Sequence, residues 1–169
     1  MTTQSRSISV MLALSFVLVL LAGCGRAYTA TEPTVAVAAE ATVVSTLQYL
    51  DGLTEGPLYQ VTVTLPDSWV GKIATRNVGN IVYFDYAENN GPLFSIQALS
   101  RAQFWKQGAY PGEFTNVANT KDTYFVHYQP IDAFYSGLPK ETFTALSAEV
   151  PAILKTLAVV AAPAPTAAQ

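Results

Sequence analysis

The chain has only one cysteine and one histidine in 169 residues. A lone cysteine excludes a disulfide within the chain, and with a single imidazole it removes most metal sites built from nitrogen and sulfur ligands. Charge is also sparse, at 12% of residues with a formal net charge of −3. Lys and Arg stand singly, so the basic footprint that phosphate backbones require is missing and no nucleic-acid partner is expected. Phosphate-cradling Gly-rich loops, CxxC pairs and a Gly-x-Ser-x-Gly elbow are all absent from the sequence. No metal and no cofactor are expected. Apolar side chains, by contrast, make up 50% of the sequence and aromatics 11%, enough to offset the ordering entropy of one folded domain.

The apolar residues are concentrated at the start. From Ser7 to Gly25 nothing is charged, and Val10, Met11, Leu12, Leu14, Phe16, Val17, Leu18, Val19, Leu20 and Leu21 dominate behind Arg6. A positive residue, an apolar run and then small residues form the pattern of a secretory signal, because such a segment must partition into the bilayer during export. A retained membrane helix needs roughly 20 apolar residues and is the competing reading. Leu21-Ala22-Gly23-Cys24 resembles the lipobox of bacterial lipoproteins. The resemblance implies cleavage before Cys24, a diacylglyceryl group on its sulfur, and a mature chain held on the extracytoplasmic side of the cell membrane. Each buried acyl methylene contributes about 0.8 kcal/mol, so two or three chains anchor stably where one is marginal.

Four segments follow from this: a signal peptide over 1–23, a lipidated tether over 24–46, a folded body over 47–158 and a disordered tail over 159–169. The tether is rich in Ala, Thr, Val and Glu with no face built for burial. At about 5–6 Å times √n it would let the body stand roughly 30 Å off the lipid. Val43, Val44, Leu47 and Leu50 lie at helix-like spacing, so a docked helix over 35–50 is the alternative for its last part. The tail has alternating prolines and few large side chains.

Within the body, Tyr59, Val61 and Val63 alternate with Gln60, Thr62 and Thr64, a period of two that predicts a strand. Leu65-Pro66-Asp67-Ser68-Trp69 ends it, since proline lacks a ladder donor. Lys72 to Arg76 reads as a short edge strand. Residues 81–86 and 93–99 read as a hairpin around Glu88-Asn89-Asn90-Gly91-Pro92, where Asn and Gly supply positive φ. Ser100 and Gln103 form a capping box before Phe104 and Trp105, predicting a helix of about two turns that stops at Gly108. Phe114 to Val117 and Thr123 to Gln129 read as strands. From Pro139 to Ala158, Phe143, Leu146, Val150, Ile153, Leu154 and Leu157 recur at three- and four-residue spacing, an amphipathic helix that Pro151 should kink or break. The expected class is α+β, a mainly antiparallel sheet of about five to six strands with a short internal helix and a C-terminal helix packed on it.

Residues 59–69, 93–96 and 150–157 resemble a group of bacterial secreted or lipid-anchored proteins. More distantly, the strand-to-Leu-Pro-x-x-Trp opening is similar to PsbP and Mog1-like α/β/α sandwiches. Those stretches carry packing and turns, so the resemblance implies a fold and an accessory or binding role and gives no site residues.

Chemistry is thin. Any imidazole catalysis must run through His127, which the strand pattern places on a sheet surface or among aromatics. Ser68, Ser95 and Ser136 lie in no nucleophile pattern. Asp85 with Glu88, or Asp132 with Glu113, would be the carboxylate pairs of a hydrolase, though spacing does not require them to meet. Asp85, Glu88, Asn89 and Asn90 crowd one turn without the alternation of a calcium loop. Nine tyrosines, eight phenylalanines and two tryptophans remain. Most belong to the core, while Tyr83, Tyr86, Trp105, Tyr110, Tyr128, Phe134 and Tyr135 fall on loops or polar-alternating faces and could form a patch for an envelope protein, peptide or glycan. The expected function is therefore a non-enzymatic, lipid-anchored binding, assembly or accessory module. An envelope hydrolase using His127 or a carboxylate pair is the rival class, and an uncleaved signal anchor carrying the same body is a third.

Overall fold

The structure is a computed structural model that describes residues 35–107 and 114–163. The apolar N-terminal segment, Cys24, Gly108, Tyr110, Glu113 and residues 164–169 lie outside the described residues. In chain order the elements are β1 (Val35–Val37), β2 (Thr42–Leu47), β3 (Leu50–Asp51), β4 (Thr54–Glu55), β5 (Tyr59–Thr64), β6 (Ile73–Val78), β7 (Ile81–Tyr86) and β8 (Gly91–Ser100). There follow α1 (Arg101–Gln107), β9 (Thr115–Asn119), β10 (Thr123–Tyr128), α2 (Ala133–Ser136), α3 (Lys140–Leu154) and β11 (Ala158–Ala161). The fold is α+β and its strand pairing is antiparallel throughout. A six-stranded sheet runs in the order β1-β6-β7-β8-β10-β9, a three-stranded sheet in the order β11-β5-β2, and β3 pairs β4 in a small ribbon.

Period-two alternation sorts side chains between faces. Val43, Leu47, Tyr59, Val61 and Val63 of the small sheet join Val82, Phe84, Phe94, Ile96, Ala98 and Phe125 of the large one in a single core. Tyr59 meets Phe125 edge to face across the two sheets, ring centroids 5.5 Å apart. At the rim, the Ser45 hydroxyl donates to Asn77 at 2.8 Å. From α3, Phe143, Val150 and Ile153 complete the core. Each large side chain taken out of water contributes about 1.5–3 kcal/mol.

The segments expected to be tether and tail contribute strands. Residues 35–37 and 42–47 form β1 and β2, and 158–161 form β11, so the folded body extends beyond 47–158 on both sides. The docked-helix alternative fails for the same stretch. In β2 the odd positions Val43 and Leu47 turn inward while Val44 is 54% exposed, which is strand parity. The expected edge strand is β6, and β1 lies outside it.

The helix expected over 139–158 ends at Leu154 and continues a turn beyond Pro151, so it does not break there. Pro151 leaves the Ser147 carbonyl without its helical donor. Gln129 Nε2 reaches that carbonyl at 3.5 Å. In the β7–β8 turn the positive φ of 53° falls on Asn90. Gly91 is required for a different reason: a Cβ there would run into the carbonyl oxygen of Ser136.

Candidate functional site

The face of the large sheet turned away from the small one carries the most organised chemistry. Register places Val35, Arg76, Tyr83, Ser95 and Tyr128 side by side across β1, β6, β7, β8 and β10. Phe114 continues the row beside Tyr128, with ring centroids 5.8 Å apart. Directly opposed residues on neighbouring strands share a face, so these side chains form a band with buried Ser95 as its floor and half-buried Tyr83 and Tyr128 as its walls.

Arg76 is fixed within this band by two contacts. Its guanidinium lies 4.0 Å from the centre of the Tyr83 ring, a cation–π geometry. Its Nε donates to Asp85 Oδ2 at 2.5 Å. Asp85 is two residues from Tyr83 on the same strand and face, so the carboxylate and the ring hold the cation between them. The carboxylate is 2% exposed while Arg76 retains 30% exposure. Burial pushes the Asp85 carboxyl above the ordinary carboxylate range, although the Arg76 hydrogen bond and charge pull the other way. Among the described residues Asp85 Oδ1 has no hydrogen-bond partner.

An aromatic cluster continues the band toward α1. Phe104 stacks on Tyr124 at 4.1 Å with planes 9° apart, and meets Phe114 and Trp105 edge to face. The capping box holds α1 in place for this. Ser100 Oγ accepts from the Gln103 backbone at 3.0 Å while Gln103 Oε1 accepts from the Ser100 backbone at 2.9 Å. At the end of α1, Gln107 accepts the Tyr128 hydroxyl proton at 2.9 Å. Trp105 is 63% exposed.

The residues singled out from the sequence are therefore dispersed. Tyr83, Trp105 and Tyr128 belong to the band and its cluster. Tyr86 is half-buried and packs against the core. Phe134 and Tyr135 sit together on α2, ring centroids 5.7 Å apart. His127 lies on the inward face with its ring 6.1 Å from Phe94. Its Nε2 is buried without a partner among the described residues, and burial lowers its pKa from 6.5.

Of the carboxylate pairs, Asp85 is committed to Arg76, Glu88 is exposed in the hairpin turn, and Asp132 caps α2 by accepting from the Phe134 backbone at 2.8 Å. In the crowded turn, Asn89 bonds the Ser136 and Gly137 carbonyls and the Gly91 backbone N–H, which spends it on structure. Among the described residues no group of three His, Cys, Asp or Glu could hold a metal ion, and no helix is long and apolar enough to cross a membrane.

Arg76 and Ser95 are not apparent as site residues from the sequence. Lys72 to Arg76 carries a strand signal, but nothing local indicates that Tyr83 and Asp85 bracket the guanidinium. Comparison with protein-family models, curated proteins and solved structures finds no match to the chain.

Proposed function

We propose that the protein is a non-enzymatic module, lipid-anchored through Cys24 on the extracytoplasmic side of the cell membrane, whose outer sheet face receives an envelope protein, peptide or glycan. The binding part rests on the Arg76 guanidinium held over Tyr83 by Asp85. A cation fixed in advance presents its remaining N–H donors at little entropic cost to an acceptor on the ligand. Tyr83, beneath the guanidinium, and Tyr128, across Ser95 from it, give the band an aromatic lining of the kind that contacts sugars and peptides. The compartment rests on Leu21-Ala22-Gly23-Cys24. The Leu-Pro-x-x-Trp opening, similar to PsbP and Mog1-like sandwiches, adds an accessory role to the same reading.

Two measurements test it. Metabolic labelling with a fatty acid should tag the wild type and leave Cys24→Ser untagged; equal tagging, or an intact Met1 by mass spectrometry, overturns the anchor. A photo-crosslinking residue at Tyr83 should capture a partner in cells that one at Thr62, on the outer face of the small sheet, does not. Arg76→Ala should diminish that product. Identical products from both positions, or none from Tyr83, overturn the binding face.

A further inference from the structure

The most exposed apolar side chains in the described chain include a group at one end of the large sheet. Ile131 is 90% exposed, Phe134 85% and Tyr135 61%. Their exposure is built in. Over the single turn of α2, Ala133 and Ser136 point inward and are buried, which turns Phe134 and Tyr135 outward. The backbone is locked from both sides: the Asp132 side chain caps the first turn, Gly137 closes it at φ 64°, and the Ser136 hydroxyl donates to Ala133 at 2.9 Å. Asn89 from the β7–β8 turn holds the Ser136 and Gly137 carbonyls at 3.1 Å each. A contact region this firmly set does not fold its rings away from water.

We propose that Ile131, Phe134 and Tyr135 form a tip that inserts into the bilayer to which the chain is anchored, a reading that rests on the anchor at Cys24. Two rings of about 150–250 Å² each and an isoleucine present an apolar area of about 400 Å². That is roughly half the 800 Å² per partner of a stable protein interface. A bilayer demands no complementary shape, so a small projecting tip suits lipid better than a protein surface. Tyrosine suits the headgroup level, with its ring in the acyl region and its hydroxyl in water. The loop and the start of α3 carry Asp132, Lys140 and Glu141, one cation against two anions, so the contact is apolar and not driven by anionic lipid. Ten residues lie between Cys24 and Val35, a reach of at most about 40 Å at 3.3–3.6 Å per residue. Tethering at that range raises the effective concentration of bilayer, so a weak individual affinity suffices.

The test uses the full chain reconstituted in phosphatidylcholine vesicles whose acyl chains carry bromine, a quencher of indole emission. In Phe134→Trp the added indole should be quenched by brominated lipid about twofold or more beyond the wild-type background, as expected for a ring at the acyl boundary. Leu53→Trp is the control. Leu53 is fully exposed and lies beyond the far end of β8, a strand about 30 Å long; an indole there should remain unquenched. High salt should leave the quenching at position 134 unchanged. Absence of quenching at 134, or equal quenching at 53 and 134, overturns the proposal, as does capture of a protein by the same loop while 134 stays unquenched. The lipid on Cys24 is scored in the same sample by intact mass. Quenching at 134 without that lipid supports the tip and refutes the anchor, whereas lipid without quenching refutes the tip alone.

Discussion

Phe94 is in contact with three rings: it stacks on Phe84 at 4.2 Å with planes 6° apart, and it meets Trp69 and His127 at 6.2 and 6.1 Å. Phe94→Ala should cost about 3–5 kcal/mol, read from the midpoint of urea unfolding, because the neighbouring rings cannot collapse into the space. His127 contributes a pH dependence of definite sign. Its folded pKa lies below the ordinary 6.5, so the unfolded chain binds the proton more readily. Stability from this residue is complete above about pH 6.5 and declines as pH falls toward the lowered folded value. Asp85 acts oppositely. Its folded pKa lies above 3.8, so stability declines as pH rises from 3.8 through the raised value and is level above it. Unfolding midpoints of His127→Leu between about pH 7.5 and 5.5 should be flatter than those of the wild type. An unchanged slope would place the proton uptake elsewhere.

Among the elements, the α2 turn depends on a glycine that belongs to another strand. Gly91→Ala would force its Cβ into the Ser136 carbonyl oxygen, so the β7–β8 turn and α2 must separate. The expected loss is about 1–3 kcal/mol, accompanied by faster amide exchange at Gly137, which hydrogen–deuterium exchange reads directly. This dependence is invisible in sequence because Gly91 and Ser136 are 45 positions apart. Elements governed by local signals are legible: β5 from period-two alternation, the β7–β8 hairpin from its Asn- and Gly-containing turn, α1 from its capping box, α3 from its apolar spacing. β1, β2 and β11 are not. Each is a short stretch of small or β-branched residues, with Leu47 the one large side chain, whose strand character comes from pairing with β5 or β6, and Val44 beside Val43 imitates a helical stripe. The site follows the same division. Tyr83, Trp105 and Tyr128 are recognisable as aromatics on polar-alternating stretches, whereas the Arg76–Tyr83–Asp85 arrangement needs the β6–β7 register.

For the molecule as a whole, the boundary between body and flanks decides stability. A fragment limited to residues 47–158 removes nearly all of β2 and β11, leaving β5 without either neighbour and the inner face of Tyr59, Val61 and Val63 open to water. It should show no cooperative unfolding transition, while residues 33–163 should unfold in one step; circular dichroism in the near ultraviolet with a urea titration compares them. If 47–158 unfolds as cooperatively as the longer piece, the small sheet is dispensable.

The place of β5 between its two neighbours also sets when this protein can finish folding. One neighbour is drawn from residues 42–47 and the other from 158–161. A polypeptide emerging amino end first, from a ribosome or through a translocation pore, would have made almost every other strand before the last partner of β5 arrived. The core therefore stays unsealed along β5 until residues 158–161 emerge.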